Sequence, residues 1–206
     1  MGRIAEKKKE LILERAKKVF LEKGFANVTM KDIIEACGIS RGGLYLYYSS
    51  TREIFLTIFR RDAQLTADAA DIAIWEEQTA TDILFGVFDV YKKTMRGDGP
   101  TMAHAVYEFF MENPDERIVK QWQFDGLVET VREVLIYGIA RGEFNKMDTA
   151  VWSKQIALFL EGLTLNMPLI GMKEAEIDHQ LELLVSPIIK EEEPFSAYQR
   201  PGNMLD

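Results

Sequence analysis

Cysteine and histidine are scarce in this sequence, and long apolar runs are missing. The one cysteine, Cys37, excludes an internal disulfide and suits a reducing compartment. The two histidines, His104 and His179, lack the spacing of metal ligands, so neither a metal nor a cofactor is expected. No apolar stretch approaches the roughly 20 residues that span a bilayer, and residues 1–14 lack the apolar segment of a secretory signal. We therefore expect a cytoplasmic chain with no membrane partner.

Two motifs of common enzymes are also missing. The sequence has no phosphate-binding glycine loop and no cysteine–histidine arrangement for nucleophilic catalysis. An enzyme is therefore not expected, and a small helical enzyme is kept as the alternative from a different functional class.

Positive charge is concentrated at the N-terminal end of the chain. Residues 1–61 contain thirteen Lys and Arg against seven Asp and Glu, whereas the remainder contains twelve against twenty-six. The net charge of −8 thus hides a basic segment joined to an acidic one. Such asymmetry is typical of a nucleic-acid-binding segment attached to a second functional unit, although chance clustering of solvated charges would give the same count.

Apolar residues repeat at helical spacing along almost the whole chain. Ile12, Ala16 and Phe20 fall on one face of a first helix that ends before Gly24, and similar faces recur as far as residue 188. No segment shows a sustained period of two, which a half-buried strand requires. We therefore predict an all-α protein of about nine helices. It is divided into a helix-turn-helix domain, a second helical domain and a flexible acidic tail, over residues 1–50, 51–190 and 191–206.

Capping residues predict two further helix starts. Asn113 has the N-cap residue type before Pro114, with Glu116 as the capping-box acid of a long helix that ends at Gly142. Asp148 is the expected N-cap of the next helix.

Two short helices separated by a tight turn are predicted in the basic segment. Thr29 has the N-cap residue type, and Asp32, three positions later, is its capping-box partner. The helix that they begin is closed by Gly38, at a position that requires a left-handed backbone. Ser40 has the residue type that caps the next helix. This pattern predicts a helix-turn-helix, whose second helix enters the major groove of DNA.

The second helix, from Arg41 to about Tyr47, exposes residue types that suit DNA. Arg41 can donate two hydrogen bonds to guanine, and Gly42 and Gly43 would let the backbone approach the groove closely. Tyr45 and Tyr47 offer hydroxyl groups for phosphates and flat faces for thymine methyls or sugars. In the alternative interpretation, the two glycines form a loop and the tyrosines border the core.

Several residues between positions 12 and 55 form a recognisable set: Ala16, Val19, Phe20, Gly24, Phe25, Thr29, Asp32, Ile33, Gly38, Ile39, Ser40, Gly43, Leu44, Tyr45 and Glu53. With this set the chain resembles the N-terminal domain of the tetracycline-repressor (TetR) family. Beyond residue 55 it resembles the family only in helical pattern and length. The resemblance implies a repressor that binds a palindromic, double-stranded DNA operator as a homodimer and responds to a small apolar effector.

The resemblance also implies which residues contact DNA. It places Arg41 and Gly42 at base-contacting positions, and Thr29, Tyr45 and Tyr47 at phosphates. The full set of expected contacts is Thr29, Lys31, Ser40, Arg41, Gly42, Gly43, Tyr45, Tyr47, Thr51 and Arg52. Thr51 is a departure, because the family usually has a lysine there, and Arg52 is expected to replace its phosphate contact.

Aromatic residues in the second part of the chain suggest a ligand pocket. The expected lining residues are Tyr91, Tyr107, Phe110, Trp122 and Trp152. Acids on the same predicted helices suggest an effector that is cationic as well as apolar, and they are Asp89, Glu108, Glu112, Asp125 and Glu161. A DNA-binding dimer without an effector is the alternative, and a cavity would discriminate between the two.

Dimer contacts are expected from the last two helices. These span residues of about 148–166 and 176–190, with Leu160 and Leu184 as candidate interface residues. The helix that starts at Thr51 is expected to reach the ligand pocket at Trp75 and to transmit ligand binding to the DNA-binding domain.

Overall fold

The computed structural model describes residues 2–95 and 102–190, so the tail expected over 191–206 lies outside the described residues. Within these ranges the chain forms nine α-helices and no strand, apart from an isolated bridge between Phe144 and Ile189. The helices are α1 (Gly2–Lys23), α2 (Met30–Cys37), α3 (Arg41–Tyr45), α4 (Thr51–Trp75), α5 (Ala80–Met95), α6 (Met102–Glu112), α7 (Arg117–Arg141), α8 (Thr149–Ile170) and α9 (Glu174–Val185). The all-α prediction of about nine helices is confirmed.

One hydrophobic core lies among the N-terminal helices and also includes α6. The apolar face of α1, with Ala16 and Phe20, packs with Ile33 of α2 and Leu44 of α3. The first half of α4 joins this core, and so does α6 through Phe109, which is fully buried. Helix α6, which follows α4 and α5 in the sequence, thus completes the core of the N-terminal helices.

A second core lies among α5, α7, α8 and α9. Leu84, Phe88, Leu135 and Leu160 are fully buried there. Ala70, towards the far end of α4, belongs to the same core. The first half of α4 packs in the N-terminal core, so this helix contributes residues to both hydrophobic cores.

Two helix ends differ from the prediction. Asn113 makes no capping hydrogen bond, because its side-chain amide donates to a backbone carbonyl of α6. The expected capping acid, Glu116, accepts hydrogen bonds from Arg52, and a turn of 3-10 helix stands where the first turn of α7 was predicted. At the other end of the chain, α9 stops at Val185, and Ile188, predicted on this helix, is buried beyond it.

Candidate DNA-binding surface and ligand cavity

The helix-turn-helix is built by the caps that the sequence predicts. The Thr29 side chain accepts from the backbone N–H of Asp32, whose carboxylate in turn accepts from the backbone N–H of Thr29 at 2.8 Å. Hydrogen bonds from Lys23 and Thr29 hold the pKa of the Asp32 carboxyl well below its usual range. Gly38 closes α2 with a φ of +64°, and Ser40 accepts from the N–H of Gly43 at 3.1 Å to start α3.

Helix α3, which is expected to enter the major groove, presents its polar residues outward. Leu44 and Tyr48 are buried, whereas Arg41 is exposed, and its guanidinium carbon lies 5.5 Å from the centre of the Tyr45 ring. The helix ends at Tyr45, earlier than predicted, so Tyr47 lies in the following turn and packs partly against the N-terminal core.

A hydrolase-like pattern occurs at the same place without its usual structure. Residues 38–42 spell Gly-x-Ser-x-Gly, which in hydrolases carries a nucleophilic serine on a turn between a strand and a helix. Here the serine follows helix α2, and its hydroxyl group caps α3.

The ten residues expected to contact DNA lie on α2 and α3, in the turns beside them, and at the start of α4. Six are exposed and four are half-buried; the half-buried ones are Gly43, Tyr47, Thr51 and Arg52. Sequence analysis missed Leu46, which follows α3 and is 77% exposed. Leu44 and Tyr48 are four residues apart and form an inward face, so the outward direction of the residue midway between them could have been inferred from this spacing.

Arg52 already has partners within the chain. Its Nη2 lies 2.8 Å from a carboxylate oxygen of Glu116 and also donates to Asp115. The guanidinium holds the pKa of the Asp115 carboxyl below its usual range. The residue expected to replace a phosphate-binding lysine therefore ties α4 to the segment between α6 and α7. Its contact with DNA stays a prediction.

A cavity of about 790 Å³ lies between α4, α5, α6, α7 and α8. Three of the five predicted lining residues, Tyr91, Tyr107 and Phe110, border it. Trp122 borders a neighbouring cavity of about 430 Å³ that shares Phe59, Ala63, Thr66, Tyr91 and Gln123 with the larger one.

Two predicted positions of the pocket do not match. Trp152 borders neither cavity and packs against the second core. Trp75, where α4 was expected to meet the ligand, is 83% exposed and also borders neither. The cavity meets α4 near its middle, between Phe59 and Thr66, because the far end of α4 packs on α5 and α7.

A polar cluster lies on the cavity wall. The Lys120 ammonium group donates to Glu161 at 2.7 Å and to Gln123 at 2.6 Å, and the Gln123 amide donates to the Tyr91 hydroxyl at 3.3 Å. Burial, with a further contribution from Glu161, raises the pKa of the Tyr91 phenol above its usual range. Sequence analysis missed Lys120 and Gln123, since their link to α5 and α8 depends on how the helices pack.

The acids predicted to attract a cation are differently placed. Of the five, only Glu161 borders the larger cavity, and it is paired with Lys120. Glu108 points toward the N-terminal helices, where it accepts from the backbone N–H groups of Phe25 and Ala26. Four of the five acids on which a cationic effector was predicted therefore do not border the larger cavity.

Comparison with known proteins agrees with this architecture. A family model for bacterial regulatory proteins of the tetR family matches residues 12–58. The uncharacterized HTH-type transcriptional regulator YfiR of Bacillus subtilis is 34% identical over 142 residues, which make up 68% of this chain and 69% of that protein. The chain belongs to the TetR family. It is therefore a transcriptional regulator and not an enzyme.

A shorter match to a relative and a solved structure of similar fold complete the comparison. The HTH-type transcriptional repressor AcnR of Corynebacterium efficiens is 35% identical over 57 residues, covering 28% of this chain and 30% of AcnR. The fold is similar to that of FadR from Bacillus subtilis, crystallised with stearoyl-CoA, with a TM-score of 0.69 at 21% identity over 87% of this chain and 98% of FadR. Among the described residues of this TetR-family chain, no helix is long and apolar enough to cross a membrane.

Proposed function

We propose that this chain is a repressor that binds a palindromic operator as a homodimer and releases it when a small, largely apolar effector occupies the cavity. The observation that carries the proposal is that the cavity borders α4, the helix that begins directly after the DNA-reading segment. The repressor name of AcnR and the ligand complex of FadR support the same function. A dimer without an effector would need no cavity of this size.

The cavity wall favours an uncharged effector. Most of the lining residues are apolar, among them Phe59, Val106, Phe110 and Phe124. The charges of Lys120 and Glu161 compensate each other. A charged ligand would lose hydration without gaining a free opposite charge from this pair. We therefore propose an uncharged molecule that is mainly apolar and carries a polar group able to exchange hydrogen bonds with Gln123 or Tyr91.

Helix α4 is the proposed connection between the ligand and DNA. Phe59, Ala63 and Thr66 border the cavity, and Thr51 begins the helix six residues after α3 ends. A two-fold dimer needs its recognition helices about 34–36 Å apart, the repeat of B-DNA. A ligand that changes the tilt of α4 would change this separation and weaken operator binding.

The homodimer is supported by the exposed apolar residues of α8 and α9. Leu158 and Leu183 are 57% and 53% exposed, although both are large hydrophobic residues. The predicted interface residue Leu160, by contrast, is fully buried within the chain, and Leu184 packs partly against the second core. The interface is therefore proposed on the faces of Leu183 and of Leu158, the second of which also borders the larger cavity. An obligate interface of this kind should bury roughly 2,000 Å² or more.

The experiment that tests the sensor function measures linkage. A thermal-shift screen of uncharged apolar compounds identifies a ligand, and selection from a randomised DNA pool identifies an operator. The ligand is then titrated into the free protein and into the operator complex. We expect the ligand to bind the free protein about 5- to 150-fold more tightly than it binds the operator complex, which is the usual range of allosteric coupling. Equal affinities in the two titrations would refute the sensor proposal for that ligand.

A cavity-filling variant serves as the matched control. Ala103 borders the cavity on α6 and lies outside the DNA-reading segment. Ala103→Phe should abolish the ligand-induced thermal shift and make operator affinity insensitive to added ligand. Unchanged ligand binding in this variant would mean that the ligand occupies another site.

A further inference from the structure

Helix α6 presents two different surfaces within a single turn. Val106, Tyr107 and Phe110 border the larger cavity. Glu108 and Phe109, which lie among them in the sequence, contact the N-terminal helices. Since these residues share one turn of helix, the cavity wall and the N-terminal contact cannot move independently without breaking the backbone hydrogen bonds of α6.

The Glu108 carboxylate holds the turn between α1 and α2. Its Oε2 accepts from the backbone N–H of Phe25 at 2.7 Å and from that of Ala26 at 3.2 Å. Both N–H groups follow directly on the C-terminal end of α1. Hydrogen bonds from an N–H to a carboxylate are stronger than those to a neutral acceptor. One side chain of α6 thus fixes a turn that lies 83 residues earlier in the chain.

Gly24 leaves the space that this carboxylate occupies. A Cβ atom at Gly24 would lie 2.5 Å from Oε2 of Glu108 and 3.0 Å from its Oε1. The backbone there has a φ of +73°, which favours glycine independently. Beside the carboxylate, the Phe109 ring lies edge-on to Phe25 and stacks on Phe55, with both centroid distances at 4.7 Å. The contact is therefore close-packed as well as hydrogen-bonded.

We propose that Glu108 is a positioning residue for DNA binding. From the cavity-lining helix it fixes the α1–α2 turn and, through α2, the placement of recognition helix α3. This inference rests on the proposed function in one respect, because it requires two recognition helices at a fixed separation on a palindromic operator. Without Glu108 the turn is loosened and each recognition helix can tilt. The dimer then binds the correct spacing more weakly and tolerates a wrong spacing better.

The first measurement is hydrogen–deuterium exchange on the full-length protein. It compares the wild type with Glu108→Ala, Glu108→Gln and Glu112→Ala, the last removing an exposed carboxylate one turn later on α6. In Glu108→Ala we expect the amides of Phe25 and Ala26 to exchange about tenfold faster or more, as loss of a hydrogen bond to a charged group implies. The amides of α8 and the Glu112→Ala variant should show wild-type rates.

The second measurement is the preference for half-site spacing. Operator Kd is measured for the spacing that the wild type selects and for the same site with one base pair inserted between the half-sites. The spacing ratio is the Kd for the site with the inserted base pair divided by the Kd for the selected site. It should fall about fivefold or more in Glu108→Ala, because the tolerance of a dimer for spacing depends on how rigidly its recognition helices are held. Glu108→Gln, which keeps a neutral acceptor, should be intermediate, and Glu112→Ala should keep the wild-type ratio.

The exchange rates and the spacing preference together distinguish a positioning role of Glu108 from a purely structural role. They also distinguish failure of this proposal from failure of the proposed function. A purely structural role would weaken binding to both operators equally and leave the ratio unchanged. Wild-type exchange at Phe25 and Ala26 in Glu108→Ala, or an unchanged ratio despite faster exchange, would overturn the proposal. If the wild type itself showed no spacing preference, the palindromic dimer of the proposed function and the positioning role would both fail, whereas the exchange rates would still report the Glu108 contact.

Discussion

The guanidinium of Arg41 is exposed on α3 and lies over the ring of Tyr45, its neighbour one turn later. This stacking holds a long side chain near the outer face of the recognition helix, where it can reach a guanine edge. We predict that Arg41→Ala loses roughly 1–3 kcal/mol of operator affinity and relaxes base preference at one position per half-site. Selection from a randomised DNA pool measures both effects.

Tyr47→Phe is the matched comparison, since it removes a hydroxyl group expected to bind phosphate. It should weaken binding by a similar factor on all sequences, because phosphate contacts carry no base information. If base preference survived in Arg41→Ala, a different residue would read the sequence, and the exposed Leu46 would be the next to replace.

Arg52 is a candidate both for a phosphate contact and for a structural ion pair, and the salt dependence of operator affinity distinguishes the two roles. If it binds a phosphate, Arg52→Ala lowers the slope of log affinity against log salt by about one. If it serves to hold α4 against Asp115 and Glu116, Glu116→Gln weakens operator binding as well, with an unchanged slope. The ion pairs in the structure favour the second result. A lower slope in Arg52→Ala, combined with full affinity in Glu116→Gln, would show that the contact with DNA dominates.

Helix α2 depends on a capping box that titrates. The folded-state pKa of Asp32 is depressed by its hydrogen bonds from Lys23 and Thr29, whereas an unfolded chain gives Asp an ordinary value of about 3.9. The carboxylate therefore stabilises the folded state above about pH 4, and this contribution is lost as the pH falls from there toward the folded-state pKa.

The measurable quantity is the difference in stability between the wild type and Asp32→Asn. Thermal unfolding should show the wild type more stable at pH 7 and the difference shrinking below about pH 4. Other carboxyl groups titrate in both proteins and cancel in the difference. A difference that is equal at pH 7 and pH 3 would mean that Asp32 acts through its shape and not through its charge.

Helix boundaries were predictable where the determining residues are neighbours in the sequence. Thr29, Gly38, Ser40 and Asp148 all act within a few residues, and the structure confirms each. The start of α7 was not predictable, because Glu116 is drawn to Arg52, 64 residues away, and leaves the capping box. Local patterns describe helices well and fail where a distant side chain competes for a capping group.

The residues that line the larger cavity were predictable to the same extent. Aromatic residues at helical spacing predicted three of its lining positions, but the periodic pattern does not tell which face meets another helix. Trp152 and Trp75 have the same pattern and border neither of the two cavities described above. The Lys120–Glu161 pair joins α7 to α8 and could be found only once the two helices were packed.

At the scale of the whole molecule, substitutions of two leucines on α8 distinguish the contribution of a side chain to dimer formation from its contribution to folding. Leu158 is exposed and Leu160 is fully buried, although they are two residues apart. Leu158→Glu should give a folded monomer with an unchanged melting temperature at low protein concentration. Leu160→Ala should lower the free energy of unfolding by about 2–5 kcal/mol, as for other leucines removed from a core.

Sedimentation equilibrium at micromolar concentration, with circular dichroism to follow folding, distinguishes the two outcomes. Leu183→Glu on α9 is the second interface variant and should behave like Leu158→Glu. A wild-type protein that sediments as a monomer would refute the homodimer. If the Leu158→Glu and Leu183→Glu variants both remained dimers, the interface would lie on another surface.

The placement of Phe109 in the N-terminal core limits how this regulator can be recombined. Chimeric regulators are made by joining the DNA-binding segment of one protein to the sensing segment of another at a junction in the sequence. In this chain, any junction between residues 60 and 100 separates Phe25 and Phe55 from the Phe109 ring, which packs against both of them. The transplanted segment would expose those rings unless the host protein supplied an equivalent aromatic residue on its own sixth helix. Phe109 therefore decides whether exchanged segments are compatible. A junction chosen from the sequence assigns it to the sensing segment, although it packs in the core of the DNA-binding segment.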